Sequence, residues 1–379
     1  MADREIEVVA KLASGVSGLN QYAWDRLAGH DPFLSHSFLS ALETSGSVGK
    51  GTGWTPATIL VEDGEGHLVS AAPAYLKTHS QGEYVFDHAW ADAFERAGGS
   101  YYPKLQIAVP FTPVPGPRLL GKQPQHLLAA AETVAVQNEI SSAHITFLDD
   151  EGAAEAERRG WLIRHGIQYH WKSRGYSDFD EFLGALTSRK RKAIRKEREA
   201  ARHGLEFRAL RGSEIGTAEW EWMWRFYQDT GARKWGHPYL TRSFFDLIGE
   251  RMSDRLLLFL AVRDGLPIAG ALNLIGSDTL YGRYWGTVDE VPNLHFELCY
   301  YQAIEWAIAN GLTFVQAGAQ GEHKLSRGYE PVITTSAHFI VDPSFRNAVE
   351  RFLVEERQAI AKELNWMRDA LPYRMSSSE

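Results

Sequence analysis

Leu256-Leu-Leu-Phe-Leu-Ala-Val-Arg-Asp-Gly-Leu-Pro-Ile-Ala-Gly-Ala-Leu-Asn-Leu-Ile275 is the stretch of sequence that decides the fold. It holds two apolar runs, residues 256–262 and 268–275, with turn-forming residues at 263–267 between them. Short apolar runs bounded by Gly and Pro are typical of β-strands joined as a hairpin. A further β-like run at 280–284 predicts a third strand directly after the hairpin.

A helix and two more strands are predicted to complete this half of the chain. We place the helix at 296–310, because Gly311 is the usual kind of stop residue, and the strands at 313–316 and 334–341. The order of hairpin, strand, helix and strand also occurs earlier, so we predict an α+β protein built from two domains of one type. The earlier hairpin strands, helix and strand are predicted at 57–61, 68–76, 123–138 and 144–148.

The length of the chain agrees with two domains, because 379 residues exceed the usual size of a single hydrophobic core. We place the N-terminal domain at 1–175, a basic helical connection at 176–210, and the C-terminal domain at 211–379. The C-terminal domain is predicted to end in a long charged helix at about 345–369.

A proline-rich stretch, residues 99–117, lies in the first half of the chain. Four of its prolines, at 110, 113, 115 and 117, cannot occupy a central strand because proline lacks the backbone N–H. The stretch is therefore predicted to be a sheet edge or an ordered loop that borders a cleft.

Composition limits the possible classes of function. The formal net charge of −8 argues against general adhesion to nucleic acid or anionic lipid. The single cysteine, Cys299, excludes an intrachain disulfide and fits a reducing compartment. The acidic N-terminus does not resemble a signal peptide, and the apolar run at 256–262 is too short to span a bilayer. We expect a cytoplasmic protein.

The segment Gly318-Ala-Gln-Gly-Glu-His-Lys-Leu-Ser-Arg-Gly-Tyr-Glu-Pro331 has the composition of a functional site. Glycines allow a backbone to turn sharply and to approach a ligand closely. Several ionisable side chains follow a predicted strand here, and loops that follow strands often carry function. The alternative is a solvated loop in which the glycines only form turns.

Five motifs give the chain a resemblance to the FemAB-like family of predicted N-acyltransferases, which belongs to the GNAT superfamily. The resemblance implies two tandem GNAT-like domains with mixed sheets flanked by helices. It also implies a peptidoglycan-biosynthesis type of enzyme that transfers an acyl or aminoacyl group to an amine. The motifs are Gly82-Glu-Tyr-Val-Phe-Asp-His-Ala-Trp-Ala91, Tyr101-Tyr-Pro-Lys-Leu-Gln106, Pro110-Phe-Thr-Pro113, His295-Phe-Glu297 and Gly318-Ala-Gln-Gly-Glu-His-Lys324.

The acyl donor is left open between aminoacyl-tRNA and acyl-CoA. GNAT acetyltransferases hold the CoA pyrophosphate with a Q/R-x-x-G-x-G/A turn at a helix N-terminus, where free N–H groups favour anions. Neither half of this chain has that pattern in clean form, which favours aminoacyl-tRNA. We expect no tightly bound cofactor and no metal, because no H-E-x-x-H or Cys-x-x-Cys spacing is present.

Acyl transfer to an amine requires a general base, so we consider Glu297, His323 and His295 as catalytic candidates. Glu297 and His295 lie at the predicted start of the helix at 296–310. Glu297 is either the base or a helix-start carboxylate that complements the helix dipole. His323 is either the base, since a histidine pKa lies near working pH, or a hydrogen-bond partner of a phosphate or carboxylate.

Two groups of residues are candidates for substrate binding. In the segment 318–331, Lys and Arg side chains suit anion capture and a Tyr can orient a carbonyl. In the first half, a cluster of carboxylate, imidazole, aromatic and ammonium groups suits an amine-bearing acceptor in a groove between the domains. The alternative for this cluster is a buried network that fixes packing. The candidates are Gln320, Lys324, Arg327 and Tyr329, and Asp87, His88, Trp90, Tyr101 and Lys104.

The predicted helix that ends at His203 is strongly basic. Its segment 188–203 has eight Lys or Arg residues against two Glu residues, in a protein that is acidic overall. A solvated helix with i,i+4 ion pairs would need no partner. The concentration of charge instead favours a polyanion such as tRNA or a pyrophosphate, with Arg189, Lys190, Arg191, Lys192 and Arg195 as its ligands.

We therefore expect an N-acyltransferase that forms an amide on a small-molecule or peptide acceptor, possibly a cell-wall precursor, by direct attack in a ternary complex. One alternative is a GNAT acetyltransferase that uses acetyl-CoA. A second alternative is a non-catalytic module that binds RNA or a cell-wall precursor.

Overall fold

The computed structural model describes residues 8–235, 238–318 and 321–374, with helices and strands as follows. The strands are β1 (Val8–Ala13), β2 (Trp54–Pro56), β3 (Thr58–Asp63), β4 (Leu68–Ala72), β5 (Ala74–Lys77), β6 (Lys104–Ile107), β7 (Leu120–Gly121), β8 (Ser142–Leu148), β9 (Leu162–Lys172), β10 (Glu206–Arg211), β11 (Leu256–Arg263), β12 (Leu266–Ile275), β13 (Thr279–Thr287), β14 (Phe314–Ala317) and β15 (Glu330–Ile340). The helices are α1 (Gln21–Ala28), α2 (His36–Thr44), α3 (His88–Arg96), α4 (Pro124–Gln137), α5 (Asp150–Arg158), α6 (Phe179–Ala185), α7 (Ser188–Arg202), α8 (Thr217–Trp235), α9 (Arg242–Arg251), α10 (Leu294–Phe296), α11 (Gln302–Ala309) and α12 (Pro343–Asp369).

The chain forms two compact units, and the first of them is discontinuous. The N-terminal unit consists of Met1–Gly166 with Ile333–Lys362, and the C-terminal unit of Ile167–Val332 with Glu363–Glu379. The basic helix α7 thus belongs to the C-terminal unit. Most of β15 and α12, which we had placed in the second domain, belongs to the N-terminal unit, because β15 pairs with β8.

The C-terminal unit is built on the strands predicted from the opening stretch. Its strand order is β10-β11-β12-β13-β14-β9, with antiparallel pairing except between β13 and β14, which are parallel. The hairpin of β11 and β12 turns at Asp264 and Gly265, which both have positive φ angles, 51° and 80°. An Asp-Gly pair in that conformation matches the strand twist and fixes the register of the hairpin.

The predicted helix at 296–310 is present but irregular. It begins as α10, widens to a π-helical turn at Glu297–Tyr301, and continues as α11. Apolar residues of α11 and of the π-helical turn enter the same buried cluster as strands β11 and β12. Single π-helical turns inside longer helices often occur at functional sites, and this one supplies several side chains discussed below.

The N-terminal unit contains two groups of strands. A small antiparallel sheet has the order β1-β3-β4-β7, and a second group has the order β15-β8-β6-β5-β2. Our prediction of an edge or loop is wrong for Lys104–Ile107, because β6 pairs with β5 on one side and with β8 on the other. The four prolines begin three residues after β6 ends, so they do not interrupt its backbone hydrogen bonds.

Within the described ranges, no helix has the length and apolarity needed to cross a membrane.

Candidate active site

Within the charged segment at 318–331, residues 321–328 form a compact turn in the C-terminal unit. Residues Glu322–Arg327 form a 3-10 helix that starts at Gly321. Gly321 has a φ angle of 115°, and a Cβ atom there would lie 2.4 Å from Cε1 of His323. Glycine suits this position because it adopts a positive φ angle without strain and has no Cβ atom to collide with the imidazole. The candidate Gln320 lies outside the described residues.

His323 presents an exposed imidazole at this turn. Its Nε2 atom lies 2.9 Å from the hydroxyl oxygen of Tyr300, which comes from the π-helical turn. Partial burial, followed by the positive charges of Arg327 and Lys324, lowers the pKa of His323. The ring is therefore neutral near pH 7 and can accept a proton.

Lys324 is the buried neighbour of this histidine, with 1% of its surface exposed. Its Nζ atom donates a hydrogen bond of 2.7 Å to the main-chain oxygen of Gly318. Burial lowers the pKa of Lys324 to about 7. A lysine with such a pKa exchanges its proton near neutral pH, which gives it a chemistry that the predicted role of simple anion capture did not include.

Arg327 holds the turn together rather than offering a free guanidinium. Its Nη2 atom donates to both carboxylate oxygens of Glu197 on α7, each at 2.9 Å. Its Nη1 atom donates to the main-chain oxygen of His323 at 2.8 Å, and its Nε atom donates to the hydroxyl of Tyr301 at 3.0 Å. The guanidinium also stacks on the ring of Phe296, 3.5 Å from the ring centroid.

Glu297 is completely buried, with 0% of its surface exposed. Arg198 donates to its two carboxylate oxygens at 3.1 Å each, and Arg202 Nε donates at 2.8 Å. Gln302 adds a further hydrogen bond at 2.9 Å. A carboxylate enclosed by two guanidinium groups has no access to an attacking amine, so the structure favours neither of our two interpretations. Glu297 instead joins α7 to the π-helical turn.

His295 lies in the same aromatic group as His323. Its half-buried ring is 5.2 Å from Trp285, 5.3 Å from Tyr300 and 6.5 Å from His323, measured between ring centroids. The two histidines that we selected from distant parts of the sequence are therefore brought together. Tyr329, another candidate, is fully buried beneath Tyr300 at a centroid distance of 5.5 Å, so it does not face a substrate directly.

The basic helix α7 has two different faces. Its inner face carries Glu197, Arg198 and Arg202, which form the ion pairs already described. The outer cations include Arg189 and Lys192, which are exposed and make no hydrogen bond or ion pair with the described residues. The other candidates differ in their contacts: Lys190 donates to Ser326 Oγ at 2.9 Å, Arg195 pairs with Asp180 at 2.8 Å, and Arg191 is half-buried.

The first-half candidates form a buried network inside the N-terminal unit. Lys104, which is 0% exposed, donates to Glu83 at 2.7 Å and to Ser80 at 2.8 Å, and it also binds Asp87. Tyr101 donates to Asp87 at 2.7 Å. Our hypothesis that Asp87, Tyr101 and Lys104 edge an open groove is therefore wrong, because these side chains are enclosed by protein. These side chains form a buried network, as in the alternative interpretation, and its role in fixing packing stays a prediction.

The two other members of this group are separated from that network. His88 is exposed at the start of α3. Trp90 is buried, and its ring packs edge-on against His338 with a centroid distance of 4.9 Å. Neither residue contributes a side-chain hydrogen bond to Lys104 or Asp87.

A buried pair of histidines, which we did not predict, lies next to the Lys104 network. His144 of β8 and His338 of β15 are directly opposite in the strand register, and their Nδ1 atoms are 2.7 Å apart. Burial lowers the pKa of His144 to about 3, and burial also holds the pKa of His338 well below its usual value. Both strands contain the tripeptide Ser-Ala-His, at 142–144 and 336–338, and this repeat is the sequence signal that we missed.

The chain belongs to the FemAB-like family, whose model matches residues 15–375. The description of this family is peptidoglycan biosynthesis and recognition. Membership supports an acyltransferase that forms amide bonds. No curated protein sequence matches the chain.

Solved structures show the same fold at low sequence identity. FemX is 13% identical with a TM-score of 0.54, and the match covers 91% of this chain and 100% of FemX. L-PGS from Bacillus licheniformis is 11% identical with a TM-score of 0.50, over 86% of this chain and 97% of that one. A conserved protein of unknown function from Bacteroides thetaiotaomicron is 9% identical with a TM-score of 0.53, over 88% and 100%. The predicted α+β class and the division into two units are confirmed, and the GNAT-like character of the units stays a prediction.

We predict that Glu297→Gln lowers the free energy of unfolding by about 3 kcal/mol, because two guanidinium groups lose a buried counter-charge. Denaturant unfolding measures this change. Glu305→Gln is the matched control, since Glu305 contacts the same two arginines but is half exposed, and it should cost under about 1 kcal/mol. Equal effects of the two substitutions would contradict a structural role for Glu297.

We predict that acid destabilises the protein through the buried histidine pair. The unfolded chain binds protons at His144 and His338 below about pH 6.5, whereas burial keeps both rings unprotonated in the folded state well below that pH, for His144 down to about pH 3. The unfolding free energy should therefore fall by about 1.4 kcal/mol per pH unit for each histidine as the pH drops below about 6. The variant His144→Gln/His338→Gln should show a shallower dependence between pH 6 and pH 4.5, and an unchanged slope would refute this prediction.

Proposed function

We propose that this protein is an N-acyltransferase in which His323 is the general base. The observation that carries the proposal is the exposed His323 imidazole, 2.9 Å from the hydroxyl of Tyr300 and directly adjacent in sequence to the buried Lys324. A neutral base, a proton-exchanging lysine and an aromatic surface at one turn suit proton transfers during amide formation. Membership of the FemAB-like family supports the same reaction class.

In the proposed reaction, the amine nitrogen of the acceptor attacks the carbonyl carbon of the acyl group. The new C–N bond forms while the bond from that carbon to the leaving oxygen, or to sulfur in a thioester, breaks. His323 takes the proton that the amine loses, which its lowered pKa allows at neutral pH. The protonated imidazole of His323 then gives this proton to the leaving atom, so the proton balance closes on one exposed residue. This series of steps needs no covalent intermediate between enzyme and acyl group.

We propose aminoacyl-tRNA as the donor and an amine on a peptide or cell-wall precursor as the acceptor. The exposed cations of α7, which include Arg189 and Lys192, favour a polyanionic donor. Through Lys190 and Ser326 this helix contacts the 3-10 helix that carries His323, so a donor on α7 would approach the proposed base. Acyl-CoA is the rival donor, since it is the donor typical of the GNAT fold. A cytoplasmic location stays a prediction.

We predict that His323→Ala lowers kcat by about a hundredfold or more, the usual contribution of a general base. The matched control is His88→Ala, since His88 is an exposed histidine outside this turn, and it should leave kcat unchanged. The wild-type pH profile should lose activity as the pH falls through the pKa of His323, below 6.5, because the protonated ring cannot accept a proton. An unchanged kcat in His323→Ala would exclude this residue as the base.

We predict that wild-type protein binds aminoacyl-tRNA, that added salt weakens the binding, and that acetyl-CoA does not displace the RNA. Replacing Arg189 and Lys192 together by Glu should reduce the slope of log affinity against log salt by about 2, because two phosphate contacts are lost. The same replacement at the exposed Arg208 and Arg351, which lie outside α7, is the control. If the protein binds and turns over acetyl-CoA but does not bind RNA, acetyl-CoA is the donor and the aminoacyl-tRNA proposal is wrong. If it turns over neither compound, the result favours a non-catalytic binding module.

A further inference from the structure

A cleft in the N-terminal unit that has charged side chains on its walls takes no part in the function proposed above. It has a volume of about 680 Å³, which lies within the range typical of small-molecule sites. Helix α5 forms one wall and the first part of α12 forms another, with residues 160–163, His165 and Thr335 between them. All of these elements belong to the N-terminal unit.

The two walls carry opposite charges that do not neutralise each other. Asp150 and Glu157 line the cleft from α5, and neither carboxylate makes a hydrogen bond or ion pair with any residue that the structure describes. Arg346 and Arg357 line it from α12. Arg346 pairs with Glu350 of its own helix at 3.2 Å. Arg357 has no carboxylate partner within the described ranges.

Arg357 is held in a fixed position by the main chain. Its Nη1 atom donates a hydrogen bond of 2.6 Å to the oxygen of Ile163, and its side chain is half-buried. A guanidinium has five N–H donors, so most of them stay available after this bond. A planar, oriented group with free donors suits bidentate capture of a carboxylate.

His165 gives the cleft a third type of polar group. Partial burial, followed by the positive charge of Arg357, lowers the pKa of His165, whereas the charge of Glu157 acts in the opposite direction. His165, Arg357 and Glu157 all line the same cleft, so one small ligand can contact all three. A neutral imidazole can accept a hydrogen bond from an ammonium group, and the Glu157 carboxylate can pair with the same group.

We infer that this cleft binds a small zwitterion, with the carboxylate of the ligand on Arg357 and its primary ammonium group on Glu157 and His165. If the ligand were a simple anion bound to Arg357, the carboxylate of Glu157 would have no positive partner. If it were a simple cation bound to Glu157, the guanidinium of Arg357 would have no negative partner. A ligand with both charges satisfies both walls. Free amino acids and the ends of short peptides have this chemistry.

The test is a calorimetric titration of the full-length protein with L-alanine, L-alanyl-L-alanine and propionate. We expect saturable binding of at least one zwitterion and at least tenfold weaker binding of propionate, which lacks the ammonium group. The relative affinities of the two zwitterions separate a free amino acid from a peptide end. No saturable binding of either zwitterion, or equal binding of propionate, would overturn the inference.

Variants locate the binding in the cleft. Arg357→Gln and Glu157→Gln should each weaken zwitterion binding at least tenfold, which is about 1.4 kcal/mol. Their controls are Arg351→Gln on α12 and Glu151→Gln on α5, because both residues are exposed and neither lines the cleft. Zwitterion binding that survives Arg357→Gln would refute the assignment. The result is independent of transferase activity, because no residue of the proposed active site is altered.

Discussion

The candidate active site depends on ion pairs along the inner face of α7. A carboxylate that is removed from water costs several kcal/mol unless charged hydrogen-bond donors surround it. Glu297 is fully buried, and Arg198 and Arg202 supply those donors from positions four residues apart, which lie on one face of a helix. Glu197, the neighbour of Arg198, bonds Arg327 and so fixes the turn that carries His323.

This constraint separates the cations of α7 into two classes. Arg198 and Arg202 neutralise buried or half-exposed carboxylates and belong to the framework of the C-terminal unit. Arg189 and Lys192 have no such task within the described residues and face solvent. A count of charges along the helix cannot make this distinction. The distinction depends on which residues of other elements contact each face of α7.

Much of the fold could be predicted from local patterns. Strands β11 and β12 were located within two residues, because continuous apolar runs met an Asp-Gly turn. Helix α3 and strand β6 were missed, since α3 buries only Trp90 and Ala91 and β6 has only four residues before a proline-rich segment. The fifteen-residue helix α7 was easier, because Thr187 before it and Gly204 just after it are typical residues for the two ends of a helix.

The candidate site could be predicted only where its residues are contiguous in sequence. His323, Lys324 and Arg327 share one turn, and their grouping was visible in the sequence. Two residues from other elements contact this turn. Tyr300 comes from the π-helical turn and Glu197 comes from α7, which is more than 100 residues earlier in the chain than the turn. The enclosure of Glu297 was also invisible, since a sequence shows a carboxylate at a helix start but not the arginines that cover it.

The discontinuity of the N-terminal unit has a consequence for the synthesis of the protein. Strand β15 pairs with β8, yet residues 167–332 emerge from the ribosome between them. At about 5 to 20 residues per second, this interval lasts roughly 10 to 30 s. During that time β8, whose seven residues are all buried in the finished protein, presents an unpaired strand edge of the kind that invites association with other chains. The nascent chain therefore passes through a period in which that edge is open to association with other chains.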